Sequence, residues 1–157
     1  LGIVRVERQR NKLTSLGLAG CIIGPTGAAE IAEYVSGSGV LTNLVLWDNN
    51  IGIVGATALA SALEGNEVLT SLDVGFNGLT EEAALSIVRV QRQRNKPTSL
   101  GLARCNIGPT VAVEIAQYVS DSEVLEKIDL RVNRLGDEGE GVIRDAVSGR
   151  EGFALEM

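Results

Sequence analysis

The chain repeats itself every 28 residues. Residues 41–68, LTNLVLWDNNIGIVGATALASALEGNEV, form one unit, and five such units run in register from residue 13 to residue 152. Each unit is too small to bury its own apolar face, so copies must stack to hide it. That requirement argues against a globule wrapped round one central core. It points to a solenoid in which each repeat touches its neighbours.

Within the unit, Leu41, Leu44 and Leu46 give Leu-x-x-Leu-x-Leu, with Asn49 and Ile51 following. Alternation around Leu44 and Leu46 predicts a short strand with those two side chains inward and Asn43, Val45 and Trp47 outward. Gly52 and Gly55 allow a tight turn. Ala56, Leu59, Ala60 and Leu63 then recur at helical spacing and form one apolar stripe. The same columns continue through the chain: Leu16, Leu44, Leu72, Leu100 and Ile128 make one, and Ile23, Ile51, Leu79, Ile107 and Leu135 another. Only Pro97 interrupts an apolar column, at a strand start where proline is tolerated. The units are 13–40, 41–68, 69–96, 97–124 and 125–152. Residues 1–12 correspond to the helical half of a repeat, and 153–157 to a tail, all in one domain. A longer period lies on top. Residues 1–41 match residues 85–125 at 31 of 41 positions. This block duplication, with an opening half-repeat and no initial Met, leads us to expect a fragment of a longer array.

The Leu-x-x-Leu-x-Leu spacing, the Cys/Asn column (Cys21, Asn49, Asn77, Cys105, Asn133) and the helix start Ile-Gly-x-x-Gly-Ala resemble the ribonuclease-inhibitor-like leucine-rich repeats. Similar arrays occur in nucleotide-binding immune receptors and in Ran GTPase-activating proteins. Repeat three departs from the pattern at Thr80 and Ala83, and repeat five at Glu140 and Gly141. The resemblance implies a right-handed α/β horseshoe arc with five parallel strands on the concave side and five helices on the convex side. It implies binding of a protein on the concave face, with no catalysis and no cofactor. The alternatives are a GTPase-activating regulator, for which Arg104 and Arg131 are the candidate residues, and a purely structural segment.

The remaining residue types narrow the function. The chain has no His, hence neither the commonest general base nor the usual zinc ligand. Gly-Pro-Thr at residues 24–26 and 108–110 lacks the Lys-Ser/Thr ending of a phosphate loop and reads as helix initiation. Glu81, Glu82, Asp137 and Glu138 read as helix starts, where the macrodipole favours negative charge. Arg5, Arg8, Arg10 and Lys12, with their copies Arg89, Arg92, Arg94 and Lys96, read as solvated helix ends. A net charge of −6 argues against a nucleic-acid partner. No apolar run is long enough to span a membrane, so no membrane partner is expected. Cys21 and Cys105 lie three repeats apart, too far for a disulfide, and are expected as buried free thiols in an intracellular, reducing compartment.

The outward strand positions are the candidate partner surface. Most are small: Ser15, Gly17 and Ala19 in repeat one, Ser71 and Gly75 in repeat three, Ser99, Gly101 and Ala103 in repeat four. Repeat five presents Lys127, Asp129, Arg131 and Val132, and the candidate contact residues are Asn43, Val45, Trp47, Asp48, Asp73, Phe76, Arg104 and Arg131. Trp47 is the only tryptophan and lies one repeat from Phe76. Trp and Arg are enriched where binding energy concentrates. Residues 1–12 carry a net charge of +3 and residues 121–157 one of −5, with Ile3 and Val6 at one end and Val147 and Phe153 at the other expected as exposed apolar positions, so weak end-to-end self-association through the open repeat ends is expected as well.

Overall fold

The structure, a computed structural model, describes residues 2–157 apart from the side chain of Ile3. Strand and helix alternate along the chain. The helices are α1 (Gly2–Arg10), α2 (Gly24–Gly37), α3 (Gly52–Glu64), α4 (Glu81–Arg94), α5 (Pro109–Asp121) and α6 (Gly136–Val147). The strands are β1 (Ser15–Gly17), β2 (Asn43–Val45), β3 (Ser71–Asp73), β4 (Ser99–Gly101), β5 (Lys127–Asp129) and β6 (Ala154–Glu156). They form one parallel sheet in sequence order. Leu16, Leu44, Leu72, Leu100 and Ile128 stand side by side across it. Their inward side chains are 4% exposed at the first repeat and 0–1% thereafter. An α/β solenoid follows from the 28-residue columns because a step of one unit advances the chain by one strand.

A sixth strand corrects the expected five. The tail forms β6, pairing Leu155 with Ile128 at a step of 27 residues. Phe153 and Val147, expected to be exposed apolar end residues, are half-buried and pack against the core. Val6 at the other end is 49% exposed, and Ile3, named with it, lies outside the described side chains.

Local chemistry sets each helix. Proline occupies the first turn of α2 and α5. Thr80 departs from the glycine pattern but caps α4, its hydroxyl accepting a hydrogen bond from the Ala83 N–H at 3.2 Å. Glu81 and Glu82 fill that helix's first turn, and Asn95 ends it in the left-handed conformation. Neighbouring helices are tied by ion pairs one repeat apart, Arg89 to Glu114 at 2.6 Å and Arg92 to Asp121 at 2.5 Å. Such exposed pairs contribute about 0–1 kcal/mol each.

Arg94 is not a solvated helix end. It is half-buried, and its guanidinium donates to the Asn66 carbonyl at 2.7 Å and the Leu69 carbonyl at 2.9 Å, both in the preceding turn region. Arg150 repeats the device against the Val119 and Leu125 carbonyls. Each arginine closes carbonyls that the next repeat would otherwise bury unpaired.

The Asn column forms a ladder behind the strands. Asn77 Oδ1 accepts from the Asn49 N–H at 2.9 Å and the Ile51 N–H at 3.3 Å. Its Nδ2 donates to the carbonyls of Leu46, Val74 and Gly75. Asn49 and Asn133 do the same for the Cys21 and Cys105 turns. Cys105 is buried, and its thiol donates to the Ala103 and Val74 carbonyls, replacing only the donor half of the amide. Cys21 is exposed, against expectation, because the described half-repeat before it, α1, brings no strand and turn to lie against it. Both thiols are free.

Candidate functional site

The parallel ladder continues past each short strand. Leu46 N–H donates to Asp73 O at 2.8 Å, Asp48 N–H to Gly75 O at 3.0 Å and Phe76 N–H to Ala103 O at 2.8 Å. These bonds hold the strand-exit turns one above the other at sheet spacing. In each turn the same column adopts a left-handed backbone: Gly20, Asp48, Phe76, Arg104 and Val132 have φ between 50° and 65°. Only the first is glycine. Non-glycine residues pay a steric penalty there, of order 1 kcal/mol. The shared conformation projects Asp48, Phe76 and Arg104 from successive turns in a row.

Trp47 leans across this row. Its ring centroid is 4.9 Å from that of Phe76, at an interplanar angle of 45°. The Arg104 guanidinium sits 5.6 Å from the Phe76 ring on the following turn. Trp47, Phe76 and Arg104 therefore make one continuous stack over three repeats. Such aromatic and cation–π contacts are worth about 0.5–1.5 kcal/mol each. Trp47 and Phe76 remain half-exposed and Arg104 exposed, so their outer surfaces face solvent.

The stack explains which small residues lie beneath it. Gly75, Gly101 and Ala103, expected on the exposed face, are buried. A Cβ on Gly75 would meet Trp47 Cδ1 at 3.2 Å and the Ala103 carbonyl oxygen at 3.1 Å. A Cβ on Gly101 would lie 2.5 Å from the Asp73 carboxyl carbon. Glycine lets Trp47 and Asp73 lie flat across neighbouring strands.

Asp73 is held there by the Gly75 N–H at 2.9 Å. Burial raises its pKa above 3.8, an effect the Gly75 bond opposes, and nearby Asp129 adds to the rise. Asp129, two strands away, goes the other way. Burial pushes it up, but the side-chain and backbone bonds from Arg131 outweigh that and leave it below 3.8. Arg131 is raised in turn by its bonds to Asp129. It lies 2.6 Å from Asp129 and 3.1 Å from Glu156 on β6, and Lys127 reaches Glu156 at 2.7 Å.

The structure thus divides the candidate residues. Trp47, Asp48, Phe76 and Arg104 converge at the strand exits. Asn43 and Val45 lie on outward positions of β2, Asn43 donating to Ser15 Oγ at 2.9 Å. Asp73 lies on β3 between the two groups. Arg131 is committed to an internal ion-pair cluster on β5 and β6. Three further residues complete the exit region. Asn50, Asn106 and Arg134, with Asp48, Phe76 and Arg104, wall a hollow of about 440 Å³. The sequence signal for them is the column two residues after the left-handed one. Among the described residues, no group of three or more His, Cys, Asp or Glu is placed to hold a metal ion. None of their helices is long and apolar enough to cross a membrane.

The family model described as "Leucine Rich repeat" matches two segments, residues 10–32 and 65–88. A search of curated proteins finds no significant match. Among solved structures, the chain is similar to "Leiomodin-1 Actin-Binding Site 2 (ABS2)", with a TM-score of 0.76 and 19% identity over 93% of this chain and 86% of that one. It is also similar to the tropomodulin C-terminal domain of Caenorhabditis elegans, with a TM-score of 0.78 and 16% identity over 92% and 91%. At such identities the likeness is one of fold.

Proposed function

We propose that this leucine-rich-repeat array is a protein-recognition module whose partner seats on the exposed, concave face of the sheet. The observation that carries the reading is the Trp47–Phe76–Arg104 stack, half-open to solvent and ordered by three successive repeats. Aromatic rings and an arginine fixed before binding lose little conformational entropy when a partner arrives, and residues of these types dominate binding energy in protein interfaces. The rest of the face, with Asn43 and Val45, supplies contact area. Two free cysteines favour an intracellular setting for the module.

Actin is the first partner to try, because a domain of the same fold is titled an actin-binding site. Affinity capture with the wild-type array then widens the search. For any captured protein, Trp47→Ala should weaken binding by about 2 kcal/mol or more. Thr57→Glu on the outward face of α3 should leave it unchanged. A partner indifferent to Trp47→Ala but lost with the helix-face variant would place recognition on the convex side and end this reading.

A further inference from the structure

Two arginines at the exit hollow differ from every other arginine among the described residues. Every other described arginine lies within 4.0 Å of a carboxylate or donates to backbone carbonyls. Arg104 and Arg134 do neither. Arg104 only covers the Phe76 ring, and Arg134 is joined to the preceding repeat through its backbone N–H to Ile107 O at 2.8 Å. Both are exposed and both wall the same hollow. This occurs in a chain with 20 acidic and 14 basic residues, where an ion-pair partner is easily had. The block duplication sharpens the point. The two blocks differ at ten of 41 positions, and two of the ten are Gly20 against Arg104 and Ile22 against Asn106. The second block thus has a cation and an amide where the first has neither.

We propose that Arg104 and Arg134 grip an acidic side chain of the protein partner in this hollow, beside an apolar residue laid against Phe76. This deepens the recognition reading above and rests on it. The guanidinium fork matches a carboxylate with paired N–H donors. Asn106 is fixed by its own bond to the Leu79 carbonyl at 2.7 Å and lines the hollow beside Arg104. Asp48 at the repeat-two end repels a second carboxylate, so the acid sits at the repeat-four and repeat-five end. Only two cations and the net charge of −6 favour a single carboxylate over a polyanion.

The test is NMR on the 15N-labelled chain, following arginine Nε–Hε and backbone signals. The probe is a blocked pentapeptide, Gly-Glu-Phe-Glu-Gly, against its twin with glutamines, with inorganic phosphate as a third arm. The glutamate peptide should move the Arg104 and Arg134 signals at least tenfold more than the glutamine peptide at equal concentration, and less as salt rises. Arg104→Gly, the residue of the first block, and Arg134→Gln should each abolish the difference while the circular dichroism stays unchanged. Arg104→Lys should retain part of it. Equal shifts from both peptides would overturn the proposal, and equal shifts from phosphate would reduce the hollow to a generic anion site. If peptides moved only Asn43, Val45 and Trp47, the sheet face would stand as the recognition surface and the hollow would fall. If the arginines responded while Trp47→Ala changed nothing for a captured partner, the hollow would stand and the broader reading would fall.

Discussion

Replacing Asn77 with alanine removes the centre of the amide ladder. Asn77 is 0% exposed, so water cannot take over its bonds. Two backbone donors lose their acceptor, the Asn49 N–H at 2.9 Å and the Ile51 N–H at 3.3 Å. Of the three carbonyls it serves, Leu46 O keeps the Asn49 amide and Gly75 O keeps the Asp48 N–H. Val74 O is left with only the distant Cys105 thiol at 3.9 Å. An orphaned buried group costs about 1–3 kcal/mol, and the longer bond and the carbonyl fall at the low end. The sum is about 3–5 kcal/mol, a large share of the roughly 5–15 kcal/mol that holds a domain folded. Asn77→Cys restores a donor but no acceptor, as Cys105 does, and should cost about 2–3 kcal/mol. The reverse change, Cys105→Asn, offers an acceptor to the turn above and should stabilise by about 1 kcal/mol. Urea unfolding with an unchanged slope measures the totals. Hydrogen exchange at the Asn49 and Ile51 amides localises them, which matters because repeat arrays need not unfold in one step. If Asn77→Ala lay within 1 kcal/mol of wild type, or both amides stayed protected, ladder satisfaction would not be what holds the turns.

Leu72→Ala, in the middle of the buried strand column, should cost about 2–5 kcal/mol in the same unfolding assay; an unchanged midpoint would mean the repeat register is wrong. Asp73 and Asp129 should respond to pH in opposite senses. Asp73 has a raised folded pKa, so its ionisation works against the fold, and lowering the pH through that raised value towards 3.8 should add stability. Asp129 has a lowered one, so its contribution is present above 3.8 and lost as the pH falls below. Asp73→Asn should therefore be neutral or stabilising at pH 7 and Asp129→Asn destabilising, and matching pH profiles for the two variants would contradict the assignment. End-to-end self-association should be weak and salt-sensitive in sedimentation runs, since Arg5 and Arg8 already pair with Glu30 and Glu33; a strict monomer at high concentration in low salt would exclude it.

Much of the fold is legible in single columns. Leu44 and Leu46 alternate with Asn43 and Val45, and that alone assigns the strand and its two faces. Asn49 and Asn77 announce a ladder because a turn stacked under another turn needs both a donor and an acceptor. What escaped depends on neighbours rather than on period. β6 follows a step of 27, outside the 28-residue frame, and owes its strand to pairing with β5. Cys21 has the sequence of a buried residue but stands at an uncovered end. Gly75 and Gly101 read as open surface until Trp47 and Asp73 lie across them. Trp47, Asp48, Phe76 and Arg104 were readable as outward positions, whereas their convergence with Asn50, Asn106 and Arg134 needs the left-handed turn that aims them.

The duplicated blocks place nearly the same peptide at two addresses. In the first copy, described from residue 2, it meets solvent on one side, and in the second, at 85–125, it is sandwiched. Arg10 is 67% exposed beside Glu7, while its twin Arg94 is half-buried against two carbonyls. The Cys21 thiol is open, while that of Cys105 is pushed up to about 12, chiefly by burial, with Asp73 and Asp129 adding to it. A thiol reagent should consequently label the chain in two phases, the slow one limited by opening of the interior repeats. The gap between the phases, read on two copies within one molecule, reports what a stacked neighbour is worth to a repeat, without any mutation or second protein for reference.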